Sequence, residues 1–264
     1  MTDLATYNRY GEELEQRIRL KTFPLAIKML EKEEDIPAGA KRPLRDMGHH
    51  LSLCQAFQLA RRDGTSIAML LKDMWCIEPV IGYGLMAAPP EFMEGRNRYD
   101  PYPHDVATME AGRNYAEEFP KLETGKYVGI AFAPLKTANF VPDAVMIYSD
   151  PAQLGFILLA REWKDGRNLK CPLSSHAACV YGPVPAMLTG QCQIAVPCRG
   201  DHYSAMAGDD EIIFTVPREK LEELIEGFRF IAQYGSRLPR SYKVLPEYAM
   251  AKSYEKIAQI MGYR

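Results

Sequence analysis

Several things are scarce or missing in this sequence, and each absence narrows what the chain can do. No excess of one charge exists: 32 Lys and Arg face 34 Asp and Glu, for a net charge of -2. No basic block stands out, so a nucleic-acid footprint is not expected. The longest apolar runs, such as "LGFILLA", fall far short of a membrane span. The first thirty residues lack the basic-then-apolar order of a secretory signal, and the chain is expected to be cytoplasmic. The G-x-G-x-x-G, Walker, H-E-x-x-H and G-x-S-x-G patterns are all missing. This argues against nicotinamide, ATP, zincin and serine-hydrolase chemistry. There is also no C-x-x-C, the close pair on which zinc ribbons and bacterial-type ferredoxins are built.

What is present is a 264-residue chain of ordinary globular composition, 47% hydrophobic and 25% charged. Its periodicities alternate. Leu4, Tyr7, Tyr10, Leu14 and Ile18 share a helical face, and "FPLAIKML" reads as a buried strand. "LSLCQAFQLARRDG" reads as a helix stopped by Gly64, and "TSIAML" as a strand. "KYVGIAFAPL", "AVMIYSD" and "EIIFTVP" are further strands. "PAQLGFILLAREWKDG" has Pro at its start and Gly at its end, as a helix should. Leu221, Leu224, Ile225, Phe228 and Ile231 form the apolar stripe of another helix. The expected class is α+β. Two stretches have a similar layout: strand, helix with an early cysteine, glycine, short β-like run, second cysteine. That pattern suggests an internal duplication, with two related βαβ-like halves at about 20–125 and 126–232 packed into one globular domain. A helical tail, 233–264, follows.

The proposed repeat selects four of the six cysteines: Cys54 and Cys76 from the first half, Cys179 and Cys198 from the second. If the halves pack about a pseudo-two-fold axis, two pairs of thiols meet at their junction. Four thiolates suit an iron–sulfur cluster or tetrahedral zinc, because soft sulfur binds soft and borderline metals. Buried cysteines acting as small hydrophobes are the competing reading. Cys192 lies in an apolar strand-like run and reads as core. Cys171 has no counterpart in the first half.

Other groups cluster in sequence with these thiols. His176 and His202 stand beside Cys179 and Cys198 and are candidate acid–base residues. His49 and His50 precede Cys54. Trp75, Glu78, Tyr83 and Met86 could form a shell around Cys76, with core packing favoured for Trp75 and Met86. Arg96, Arg98 and Arg199 could hold a small anionic substrate.

The segments "LSLCQAFQLARRDG", "AACVYG…LTG", "VPCRGD" and "IIFTVPREKLEELIEGF" resemble the domain-of-unknown-function-169 family of uncharacterised archaeal and bacterial proteins, common in anaerobes. The resemblance runs from about Tyr7 to Phe230. The family's cysteine pattern falls on Cys54-Gln55, Cys76, Cys179 and Cys198-Arg199-Gly200-Asp201. This chain departs from it in having Ile77, where Pro or Gly is common, and His202, where Arg is common. The resemblance implies that these four cysteines belong together, and it assigns no reaction. The leading expectation is a cytoplasmic protein of anaerobic metabolism with one [4Fe-4S] cluster on Cys54, Cys76, Cys179 and Cys198. It would serve electron transfer with a redox partner protein, or work as an iron–sulfur-dependent oxidoreductase or lyase. The alternative is a metabolite-binding or accessory protein with structural zinc or plain buried thiols. A homodimer is the default oligomer.

Overall fold

The computed structural model describes residues 3–99, 105–238 and 252–262. It is an α+β structure built on one six-stranded sheet. The strands are β1 (Leu25–Leu30), β2 (Ile67–Leu70), β3 (Gly129–Pro134), β4 (Ala144–Ser149), β5 (Gln193–Ala195) and β6 (Ile212–Pro217). Their order is β2-β3-β1-β4-β6-β5, and every neighbouring pair is antiparallel.

The topology differs from simple βαβ units, in which the joined strands run parallel. β1 and β2 do run the same way, but antiparallel β3 lies between them. β4 and β5 are likewise separated by β6. Moving outward from the central β1–β4 pair, the order is β1, β3, β2 on one side and β4, β6, β5 on the other. β3 begins after residue 126, yet it pairs only with β1 and β2. In the sheet it therefore goes with the strands before the expected boundary.

The helices are α1 (Leu4–Ile18), α2 (Leu53–Asp63), α3 (Ile77–Gly82), α4 (Pro90–Met93), α5 (Arg96–Tyr99), α6 (Met109–Glu118), α7 (Pro151–Glu162), α8 (Ala178–Tyr181), α9 (Pro183–Thr189), α10 (Arg199–Ala205), α11 (Arg218–Gln233) and α12 (Lys252–Met261). Much of the expected tail falls outside the described residues.

Both sheet faces are covered, so the strands read as apolar runs rather than clean alternations. Side chains still alternate between two cores. Ala26, Leu30, Val145, Ile147, Phe214 and Val216 pack against α1, α7 and α11. Leu25, Ile27, Phe132, Met146, Tyr148 and Ile213 point the other way, toward α2, α3, α8 and α9. The second face carries the candidate site.

Local sequence sets where its helices begin. Ser52 caps α2 by accepting from Gln55 N, while the Gln55 side chain accepts from Ser52 N. Such a cap is worth about 1 kcal/mol. Gly64, at φ 75°, ends the helix in the left-handed conformation glycine tolerates. Phe57 of α2 meets Phe132 of β3 edge-on, with centroids 4.7 Å apart, and this fixes α2 on the sheet.

Candidate functional site: four thiols around one cavity

Cys54, Cys76, Cys179 and Cys198 all line one solvent-open cavity of about 530 Å³. The other walls come from Ser52, Leu53, Trp75, Ile77, Glu78, Ala177, Gly200 and Ser204. Each sulfur comes from a different element, and their places correspond in pairs. Cys54 and Cys179 are the second residues of α2 and α8. Cys76 and Cys198 are the residues immediately before α3 and α10, shortly after β2 and β5.

Two contacts bring these elements together across the sheet. α3 and α8 approach closely at Gly82, where a Cβ would lie 2.5 Å from a Val180 methyl. Tyr83, fully buried, donates from its hydroxyl to the Cys179 carbonyl at 2.7 Å. Cys76 and Cys179 are thus tied through α3 and α8. α2 packs on α10, and Gly200 sits between Cys54 Sγ and Cys198 Sγ, where a Cβ would be 3.8 and 3.7 Å from them.

Polar groups address the sulfurs. Ser52 Oγ lies 3.0 Å from Cys54 Sγ. The Glu78 backbone N–H donates to Cys76, and those of Ala178 and Asp201 donate to Cys198. Asp201 is buried and accepts from Cys198 N at 3.1 Å and from Cys198 Sγ at 3.2 Å. The "CRGD" turn is therefore a capping box with sulfur in the usual hydroxyl position.

All six cysteines are unpaired thiols. Burial, reinforced by the Asp201 carboxylate, pushes Cys54 up to about 12. Burial, then the Glu78 charge, pushes Cys76 up to about 12. Cys198 rises to about 11 through burial and Asp201, and burial raises Cys179 strongly. Burial thus favours the protonated form of each thiol, and the four must lose protons to serve as ligands.

Among the described residues, no group of three or more His, Cys, Asp or Glu side chains closes tightly enough to hold a metal ion. What the four thiols share is the lining of a common space.

Neither proposed acid–base histidine lines the cavity. His202 is on the exposed side of α10, with Nδ1 3.2 Å from Ala207 O. His176 packs edge-on against Tyr115 with centroids 5.4 Å apart. Burial, then the Arg98 charge, lowers its pKa. His49 and His50 are exposed. Glu78 is the ionisable side chain that joins the thiols in the cavity wall. It accepts from Tyr115 Oη at 3.0 Å and pairs with buried Arg98.

The arginines do not provide an anion clamp at the thiols. Arg98 is engaged by Glu78, by Asp105 at 2.9 Å and by Tyr115 at 3.1 Å. Arg96 pairs with Glu94, and Arg199 is largely exposed, 3.9 Å from Asp105. Trp75 is 64% exposed rather than packed in the core, and it lines the cavity. Met86 does pack against the core. Cys192 is buried on the opposite face of the sheet. Cys171 is half-buried, with Sγ 3.9 Å from Ile194 O.

The sequence profile of the family described as uncharacterised ArCR, DUF169, matches residues 13–227. The chain belongs to the DUF169 family. A similar curated relative is the uncharacterised protein MJ0308 of Methanocaldococcus jannaschii. It is 22% identical over 232 residues, covering 88% of this chain and 97% of that protein. No solved structure gives a significant match. No helix among the described residues is long and apolar enough to cross a membrane.

Proposed function

We propose that this DUF169 protein is an iron–sulfur protein, with Cys54, Cys76, Cys179 and Cys198 as the ligands of one [4Fe-4S] cluster. The cavity serves redox chemistry or cluster-assisted conversion of a small substrate. One observation carries the reading: four thiols from four separate elements line one cavity, while the other two cysteines do not. The donor set is all sulfur, as iron–sulfur clusters require. A cubane cluster takes four thiolates, one at each iron. The backbone N–H groups directed at Cys76 and Cys198 are of the kind that tune cluster potentials. A bound cluster would supply one-electron transfer, or an open iron as a Lewis acid where one thiol stays free.

The same reading includes an internal duplication. Its support is the repeated strand order on either side of the β1–β4 pair, together with the paired positions of the cysteines.

The test is purification and reconstitution without oxygen, followed by iron, sulfide and zinc analysis. About four iron and four sulfide per chain, with a brown chromophore, is the expected result. A colourless protein without iron would refute the cluster. Zinc near one per chain would identify a structural metal site instead.

A further inference from the structure

We propose that Arg61 is a positioning residue of the thiol site. It lies on the helix that carries Cys54 and acts on Cys198 through Tyr148 and Asp201. The inference rests on the reading of the four thiols as ligands of one group.

Arg61 is 1% exposed. A guanidinium so far from water is costly unless its donors and its charge are met. Here they are. Nη1 and Nη2 fork onto Glu211 at 2.6 and 2.7 Å, and Nη1 also reaches Thr22 Oγ1 at 3.2 Å. Its flat face lies 3.8 Å from the centroid of the Tyr148 ring. That ring's hydroxyl donates to Asp201 Oδ1 at 3.3 Å. Asp201 Oδ2 in turn accepts from Cys198 N and Cys198 Sγ. An unbroken series of contacts therefore runs from α2 to the Cys198 sulfur.

Two features indicate a role in geometry beyond stability. A buried ion pair is often matched or exceeded in stability by apolar residues of similar size, so its presence calls for another reason. Cys54 and Arg61 are also seven residues apart on α2, two turns along the same side. Cys198 stands at the start of α10, which packs on α2. Holding Tyr148 and Glu211 against Arg61 thus fixes the depth of α2 over β4 and β6, and with it the placement of Cys54 relative to Cys198. Only arginine combines a two-pronged fork with a flat face for stacking.

The test uses Arg61→Met, Arg61→Lys and Tyr148→Phe. Leu224→Ala, in the core of the other sheet face, is the destabilised control. In metal-free folded protein, iodoacetamide labelling of each cysteine is followed by mass spectrometry. Arg61→Met should speed labelling of Cys54 and Cys198 about tenfold relative to Cys192. Arg61→Lys should do so less, and Tyr148→Phe should affect Cys198 alone. Leu224→Ala should leave these ratios unchanged. In reconstituted protein, the electron paramagnetic resonance spectrum of the reduced cluster should shift in Arg61→Met and Tyr148→Phe, but not in Leu224→Ala.

Unchanged ratios and spectra in folded Arg61→Met would overturn the proposal, as would the same ratio change in Leu224→Ala. If Arg61→Met does not fold, unchanged Cys198 labelling in Tyr148→Phe overturns it. If the wild-type protein takes up no iron, the cluster reading fails, and the labelling ratios still decide the role of Arg61.

Discussion

The two faces of the sheet bury similar side chains for different ends. On one face, α1, α7 and α11 close over an apolar core that includes a single cysteine, Cys192. On the other, α2, α3, α8 and α10 leave a cavity open to solvent and place four thiols around it. Thiol acidity does not separate the faces, since burial, the largest cause, raises Cys192 to about 11, like Cys198. What separates them is convergence. Among the described residues, no other thiol is among the groups that mainly shift Cys192, whereas Cys179 is influenced by Cys54, Cys198 and Cys76 together. A raised pKa therefore reports burial, and only the grouping of thiols points to a ligand set.

This contrast can be broken or sharpened by experiment. A large effect on stability is expected on the closed face. Phe228→Ala, at a fully buried position of α11, should cost about 3–5 kcal/mol in urea unfolding. Any protein that still folds should keep its iron. A loss of iron out of proportion to the unfolded fraction would show that the faces are not independent.

In the turn before Cys76, Asp73→Ala would leave Arg42 buried without its 2.5 Å partner. The cost should be about 3–5 kcal/mol. Asp73 also accepts from Leu70 N and sits in the turn leading to Cys76, so this variant should lose stability and iron together. Gly82→Ala pushes a methyl into Val180 and should cost about 1–3 kcal/mol. It should also loosen the α3–α8 contact, read as faster iron release to a chelator.

The pH dependence follows from the raised thiol pKa values. The thiolate is the reactive form, and it is scarcer when the pKa is raised. Labelling of Cys54 and Cys76 in metal-free protein should therefore be slow near neutrality and rise about tenfold per pH unit, levelling off only toward the pKa of about 12. Cys192, raised by burial likewise, should follow the same course. Metal loading near pH 7 should release protons from the open face and leave Cys192 unaffected, so affinity should climb as pH rises. A plateau in Cys54 labelling below pH 9 would contradict the buried, acid-flanked setting. The smallest effect is expected for His202→Ala, whose ring lies outside the cavity wall: its iron content and visible spectrum should match wild type.

Much of this contrast was legible in the sequence. The period-3.6 stripes of α1 and α11 and the apolar runs of β1, β4 and β6 follow from local patterning, and the structure contains them. Matching two stretches of chain groups Cys54, Cys76, Cys179 and Cys198, and these four residues line one cavity. The pairing of β3 with β1 and β2 did not follow, because strand partners are set by long-range packing that periodicity does not encode. α3, α8 and α10 have only four to seven residues, too few for a helical period to register. Sequence proximity to thiols singles out the histidines, but His202 lies on α10, where one residue turns a side chain by about 100°, and His176 lies in the bend before α8. Arg61 left a readable sign: it falls four residues after Phe57 on the apolar side of α2, where a charge needs a buried partner. Tyr148 and Glu211, which meet it, are far away in the chain.

The most direct test of the central claim is iron content across all six single Cys→Ala variants, reconstituted side by side without oxygen. The expected pattern is loss of the cluster in Cys54→Ala, Cys76→Ala, Cys179→Ala and Cys198→Ala, with wild-type iron in Cys171→Ala and Cys192→Ala. Iron lost from Cys192→Ala, or kept in full by Cys54→Ala and Cys198→Ala, would contradict the assignment of these four thiols as the ligands.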